Sequence, residues 1–378
     1  NLESLTGRIS FELPLGKPRM PRFPLPTNLT PAAALRQQAE QGAQKLYGSC
    51  SPEIQQRLDH ELEIISTMGF EPIFLIMQEA LQYARQKGIP FSSRGSAASS
   101  LVAHCLGITS PDPLALGLYF ERFLNPARTT PPDIDTDIDS NRRDELIQHM
   151  FEQYGRENVS MVGTINRFRP KSAVGDTAKA CGLTPADARR LTQDLPHSFF
   201  AARFQDSDPQ KIFAPLRQKY PQANYQDVFA RAEAILGLPR HLSVHPGGIV
   251  ISPHPTTDLT PVAFSDTKNV TITQFDLDSL EALGLVKLDL LGIRGLSVVS
   301  SVAESIYSWS RKDYKNASEV VEAISLNDEA TSQIIFEGKT IGCFQIESPG
   351  MRSTLKQIQA RNVDDILAAL ALYRPGPM

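Results

Sequence analysis

The segment Pro131-Pro132-Asp133-Ile134-Asp135-Thr136-Asp137-Ile138 constrains this chain more than any other. Three Asp residues alternate with apolar or β-branched ones, so a strand over them turns all three carboxylates to one face. Like charges so close on a strand repel each other. A divalent cation or a cluster of Arg and Lys relieves that cost. Oxygen donors without His or Cys among them suit Mg²⁺ better than zinc or copper. Mg²⁺ held by one or two carboxylates while it grips substrate phosphates is the usual arrangement of phosphoryl- and nucleotidyl-transfer sites. Two plainer readings stand beside this one. An EF-hand loop opens similarly but needs Gly at its sixth position and Glu at its twelfth, where this chain has Ile138 and Asp144. A solvated acidic edge strand is the other.

At 378 residues with 41% hydrophobic content, the chain has room for two or three domains with their own cores. Its 38 basic and 42 acidic residues nearly balance, so contact with nucleic acid must use local patches. Residues 156–190 form one, with seven Lys or Arg against three Asp or Glu. The four cysteines are widely spread without a CxxC pair, which suits reduced thiols in a cytoplasmic protein. No apolar run approaches the length of a membrane span. The start at Asn1 and the end in Arg374-Pro375-Gly376-Pro377-Met378 both read as cut from something longer.

Along the chain, five prolines in residues 11–30 read as an extended linker. Thr30-Pro31 caps a helix ending near Gly48. A helical region over 53–87 is interrupted at Gly69 and Pro72. Ile89-Pro90-Phe91 is extended, helix formers run from Ser99 to Leu106, and Arg143 to Tyr154 reads as an amphipathic helix. Residues 171–240 read as mostly helical, with a capping box at Thr184–Asp187. Strands return at Ile249–Ile251, Val270–Phe275 and Leu285–Leu290, and 295–370 is helical again. Strands and helices segregated in this way predict an α+β protein with an inserted helical domain.

Other residues carry chemistry. Arg94-Gly95-Ser96 joins an extended piece to a helix start, where backbone N–H groups and the Arg fork suit an anion; an ordinary helix cap is the alternative. It lacks the spacing of a Walker loop. Lys287-Leu288-Asp289-Leu290 puts an acid in an apolar run, costly unless the carboxylate is paired or binds metal. Lys287 and Asp289 share a strand face. Arg122 is a charge in an apolar context that could pair with Glu121 or another acid. His245-Pro246-Gly247-Gly248 reads as a turn returning the chain to the sheet, and the seven scattered histidines give no HxH or HExxH motif.

Taken together, these stretches resemble the bacterial C-family replicative DNA polymerases, the DNA polymerase III alpha subunits. The resemblance rests on Ser93–Ala98, Glu121–Pro126, Pro132–Asp137, Tyr154-Gly155-Arg156, His245–Gly248, Thr273–Asp276, Gly284–Asp289, Phe344–Ser348 and Tyr373–Pro377, in order along nearly the whole chain. It implies a palm of the polymerase-beta-like nucleotidyltransferase type. Residues 1–166 would be an N-terminal connector and the first part of the palm, and 167–244 a helical thumb. Residues 245–294 would return to the palm, and 295–378 would begin the fingers. By position, Asp133, Asp135 and Asp289 would hold two Mg²⁺ ions for nucleotidyl transfer from dNTPs to a primer 3′-hydroxyl; the resemblance gives Asp137 no ligand role. Gly95 and Ser96 would cradle the triphosphate, with Arg94, Arg122 and Lys287 as charge partners. Arg167, Arg169, Lys171, Arg189 and Arg190 would grip the primer–template backbone, against the alternative of a solvated helical surface.

The resemblance further implies a metallohydrolase-like domain before residue 1. The remaining fingers, a clamp-binding segment and C-terminal domains would follow Met378, with a sliding clamp and other replisome subunits as partners. Ile134 and Ile138 stand where aromatic residues are usual, Asp139 is an extra acid, and Ser92-Ser93 replaces Gly-Pro, features more like the error-prone branch of the family. Two competing readings remain at this point. One is a non-catalytic DNA-binding or assembly fragment, which substitution of one of the three acids would have favoured. The other is a nucleotidyltransferase acting on a small molecule or an RNA end.

Overall fold

Two units make up the chain: one combines Phe23–Gln153 with Asp289–Met378, the other Asn1–Arg22 with Tyr154–Leu288. The computed structural model describes residues 2–10, 15–127, 131–195, 209–266, 268–310, 313–314 and 316–373. The Arg374–Pro377 part of the last family-like motif and residues 196–208 of the expected thumb lie outside these. Seven strands occur among the described residues: β1 (Phe91–Arg94), β2 (Asp135–Asp139), β3 (Val159–Arg167), β4 (Pro239–Ile251), β5 (Val262–Ser265), β6 (Val270–Thr273) and β7 (Lys287–Ile293). Parallel and antiparallel pairs both occur. With the many helices this makes the expected α+β protein.

The unit built on Phe23–Gln153 begins with three helices, the first of which packs on the other two. Thr30 accepts the Ala33 N–H and Pro31 opens the first, Pro31–Tyr47, whose missing N–H costs nothing at that position. Ser51 caps the second, Pro52–Met68, in the same way. Gly69, at φ 69°, ends it, and Glu71–Gln86 sets off after a bend of 112°. The expected interruption at Gly69 and Pro72 is therefore a corner between two core helices. Leu58, Leu62 and Ile65 on one side of the corner and Ile73, Phe74 and Met77 on the other are all buried. Among the described residues, no single helix is long and apolar enough to cross a membrane.

In this unit β1 pairs antiparallel with β2, and β2 runs parallel to β7. Ile134 and Ile138, in place of aromatic residues, fill the interior behind the acidic face. On that apolar side the hydroxyls of Ser93 and Thr136 meet at 2.9 Å. Helices Arg143–Tyr154 and Arg294–Trp309 follow β2 and β7. At the C-terminal end, Ile335, Met351, Leu355, Ala360 and Ala369 make a separate small core between helices Glu329–Phe336, Pro349–Gln357 and Val363–Leu372.

The second unit holds β3 to β6 and a helical cluster. β3 pairs antiparallel with β4, β6 pairs with both β3 and β5, and Val162, Val250, Leu280 and Leu285 pack together. The expected turn at His245–Gly248 is instead a bulge inside one long strand. Met161 faces Ile249 and Gly163 faces Val244, so four residues of β4 oppose one of β3. His245 Nδ1 accepts the N–H groups of both Gly247 and Gly248, satisfying the backbone that the ladder leaves out.

The helices Pro170–Ala180, Pro185–Gln193, Pro209–Lys219 and Ala223–Ile235 bury Val174, Leu191, Phe213, Leu216 and Phe229. Thr184 caps the second of them by accepting the Asp187 N–H at 3.1 Å, the first half of the expected capping box, while the Asp187 carboxylate takes the Thr184 hydroxyl in place of the reciprocal backbone bond. Residues 15–22 of the proline-rich stretch are docked, not loose: Gly16 N–H donates to Ala282 and Arg19 N–H to Gly284.

Candidate active site

The parallel register of β2 and β7 sets Asp135 directly beside Asp289. Neighbouring strands lie about 4.8 Å apart, so two in-register carboxylates on one face cannot avoid each other. Asp133 precedes β2, where Pro132 removes a ladder donor, yet its side chain still reaches the pair. One oxygen from each of Asp133, Asp135 and Asp289 lies within 4.8 Å of the others. Asp133 is exposed, Asp135 half-buried and Asp289 buried at 7% exposure, so the cluster opens outward from a dry base.

Across the other edge of β2, Arg94 stands opposite Asp135. Its guanidinium reaches Asp135 at 3.2 Å and Asp137 at 3.1 Å. The Asp137 hydrogen bond raises the Arg94 pKa, with smaller contributions from Asp135 and Asp289, so the group stays charged. This fork spans the acids at i and i+2 on one strand face. Asp137 therefore shares the face, as the alternation predicts, and is tied to Arg94. Asp139 is spent on structure: it is buried and accepts the Ser297 hydroxyl at 2.5 Å and the Asn141 N–H at 2.9 Å.

The donor set fits a divalent cation. Three hard carboxylate oxygens converge with no His or Cys donor in the group among the described residues, and three negative charges at this range repel strongly unless a cation is shared. Asp133, Asp135 and Asp289 are the residues that would hold it.

Arg94 ends β1 and Gly95 follows at φ 82°, a conformation that favours glycine, with open space where a side chain would stand. Gly95–Ser99 is a tight 3₁₀ turn, with Gly95 exposed and Ser96 half-buried. A second such turn, Phe120–Arg122, packs against it. Phe120 and Phe123 anchor that turn in the core edge to face at 6.2 Å, which leaves Arg122 exposed. Glu121 is taken by His60 at 3.0 Å. Lys287 opens β7, two residues before Asp289.

The five basic residues expected on DNA all lie in the other unit and all are exposed. Arg167 ends β3 and donates to the Gly237 carbonyl at 3.1 Å, and Arg169 and Lys171 flank the start of helix Pro170–Ala180. Arg189 and Arg190 ride on Pro185–Gln193. Arg190 is engaged by Asp187 at 2.7 Å and by the Tyr225 hydroxyl at 3.0 Å. Sequence reasoning missed Arg57 and Glu61, which brace the turns carrying Gly95 and Arg122. An Arg–Glu pair four apart on a helix has the signature of a surface ion pair.

Comparison with known proteins matches residues 33–292 to the bacterial DNA polymerase III alpha NTPase domain and residues 296–378 to the bacterial DNA polymerase III alpha subunit finger domain. The chain belongs to the bacterial DNA polymerase III alpha-subunit family. It is 38% identical to the DNA polymerase III subunit alpha of Bacillus subtilis over 97% of its own length and 32% of that protein's. It is 37% identical to an error-prone DNA polymerase of Symbiobacterium thermophilum, over 95% of its length and 32% of that protein's. The DNA polymerase III subunit alpha of Thermus aquaticus is 38% identical over 84% of the chain and 26% of that protein. The chain thus spans about a third of the length of the first two of these relatives. Identities of 38% and 37% favour neither the replicative nor the error-prone name.

Proposed function

We propose that this chain carries the catalytic centre of a template-directed DNA polymerase, transferring nucleotides from dNTPs to a primer 3′-hydroxyl. The observation that supports this most is the convergence of Asp133, Asp135 and Asp289 within 4.8 Å. Family membership supplies the reaction class. Two Mg²⁺ ions bound there would lower the pKa of the primer hydroxyl and neutralise charge on the triphosphate. Asp289, at the buried base, and Asp135 hold fixed negative charge where the cations must sit. Asp133, on the open side, leaves room for substrate. Backbone N–H groups at Gly95 and Ser96 would receive phosphate oxygens. Arg122 and Lys287 would balance the leaving pyrophosphate. Arg94 would hold Asp135 and Asp137 in place while its exposed edge faces the triphosphate.

In this reading residues 1–166 and 245–294 form a connector and a palm related to polymerase beta. Residues 167–244 form the thumb and 295–378 the start of the fingers. Arg167, Arg169, Lys171 and Arg189 grip the duplex backbone without reading sequence, with Arg190 contributing less because Asp187 already holds it. In the intact enzyme the primer–template is the macromolecular partner, with a sliding clamp and replisome subunits beyond it, acting in the cytoplasm.

The test is Asp289→Asn in a full-length polymerase carrying this sequence. Extension of a primed template should be abolished, while salt-sensitive duplex binding stays at the wild-type level. Wild-type extension by that variant would overturn the assignment.

A further inference from the structure

Helix Pro52–Met68 carries no residue of the proposed site, yet three of its side chains reach the two turns that do. Glu61 is fully buried. Its carboxylate accepts the Ser100 hydroxyl at 2.8 Å, the Leu101 N–H at 2.9 Å and the Val102 N–H at 3.0 Å. It also accepts Arg57 Nε at 2.6 Å. These bonds lock the backbone that leaves the Gly95–Ser99 turn. Arg57 then uses Nη2 twice, donating to the Ser99 carbonyl at 3.0 Å and to the Leu118 carbonyl at 3.1 Å. Ser99 closes the turn begun by Gly95, and Leu118 lies four residues before Arg122. One guanidinium thus ties both turns together. One turn along the helix, His60 meets Glu121 at 3.0 Å and stands edge-on to Phe120.

A buried carboxylate is costly, and burial pushes Glu61 up while Arg57, two backbone N–H groups and Ser100 pull the other way. An apolar residue would fill this place more cheaply, so the pair makes physical sense as a device that fixes geometry. Lysine could not substitute for Arg57 here. Its single ammonium can neutralise Glu61 but cannot present a planar fork to a carboxylate and two carbonyls at once.

We propose that Arg57, oriented by Glu61, is a positioning residue that holds the Gly95–Ser96 and Arg122 turns in a fixed relation for triphosphate binding. This rests on the polymerase reading for the ligand, though not for the coupling between the two turns. Arg57→Lys keeps the charge and removes the fork. The double variant Arg57→Met with Glu61→Leu removes the pair without leaving a buried charge, and serves if the single variant folds poorly.

Three measurements on a full-length polymerase carrying this sequence test the proposal. Amide hydrogen exchange should quicken in both 95–102 and 118–122 and stay unchanged in β2. Affinity for dATP with Mg²⁺ should fall about tenfold or more, as expected when binding groups lose their mutual orientation. Affinity for Mn²⁺ alone should match wild type. Unchanged exchange in either turn overturns the coupling, whatever nucleotide binding shows. Loosened turns with undiminished dATP affinity overturn the positioning role. A wild-type chain that binds Mn²⁺ but no triphosphate overturns the polymerase reading and this role with it, while the exchange result still reports on the turns.

Discussion

Asp289 lies between Leu288 and Leu290 on a strand where a carboxylate has little business unless something positive comes to it. The cost of burying that charge marks it as readable from sequence alone, and the alternation around Asp133 is equally legible. Division of labour among the acids is not. Asp135 and Asp137 share a face, but only the register with β7 brings Asp289 to Asp135, and only the register with β1 gives Asp137 to Arg94. Arg57 and Glu61 are illegible for a related reason: spacing gives a helical pair, while burial depends on what packs over it. Cys105 lies beside this pair. Burial, with the Glu61 carboxylate adding to it, pushes its thiol up to about 12. Iodoacetamide at pH 8 should therefore label the exposed Cys181 and Cys343 and leave Cys105 unmodified until the protein unfolds. The folded state holds this proton more tightly than the unfolded one, so the associated stability is complete below about pH 9 and declines as pH rises toward 12. Urea midpoints across that range, compared between wild type and Cys105→Ala, check the sign; a midpoint difference that does not change with pH would refute it.

At the scale of elements, helices with capping signals are legible to within a few residues, because Thr30-Pro31, Ser51-Pro52 and Thr184-Pro185 each satisfy an orphan N–H by a local rule. Strands are less so. β3 escapes the sequence reading: Val159–Gly163 is buried throughout and has no alternation to betray it. β5 is a four-residue strand with little pattern to read. His245-Pro246-Gly247-Gly248 carries the composition of a turn, and only the partner strand reveals that the chain runs on through it. The bulge leans on one side chain. His245→Ala should lower stability by about 1–3 kcal/mol through the two N–H groups it leaves without their acceptor. His245→Asn, which keeps a carbonyl acceptor, should recover part of the loss in thermal unfolding. Equal stability of wild type and the alanine variant would show that the bulge is held by the ladder alone.

For the molecule as a whole, near-neutral composition hides an uneven use of charge. The acids gather in the unit built on Phe23–Gln153, while Arg167, Arg169, Lys171 and Arg189 stand exposed in the other. α+β character follows from the order of strand and helix patterns, but the strands are shared out between two units in a way no local pattern encodes. Reversing charge in Arg167→Glu with Arg169→Glu should weaken duplex binding and flatten its salt dependence by about 0.9 in slope for each phosphate left without its cation. A titration over several salt concentrations measures this, and an unchanged slope would remove these residues from the DNA interface. In the proposed reading Asp133, Asp135 and Asp289, without Asp137, together hold the divalent cations. The most direct test is Mn²⁺ binding by electron paramagnetic resonance to the wild type and to Asp289→Asn and Asp137→Asn variants shown to be folded. Wild type and Asp137→Asn should bind alike, and Asp289→Asn should lose the tight site. Binding retained in Asp289→Asn, or abolished in Asp137→Asn, would contradict that reading.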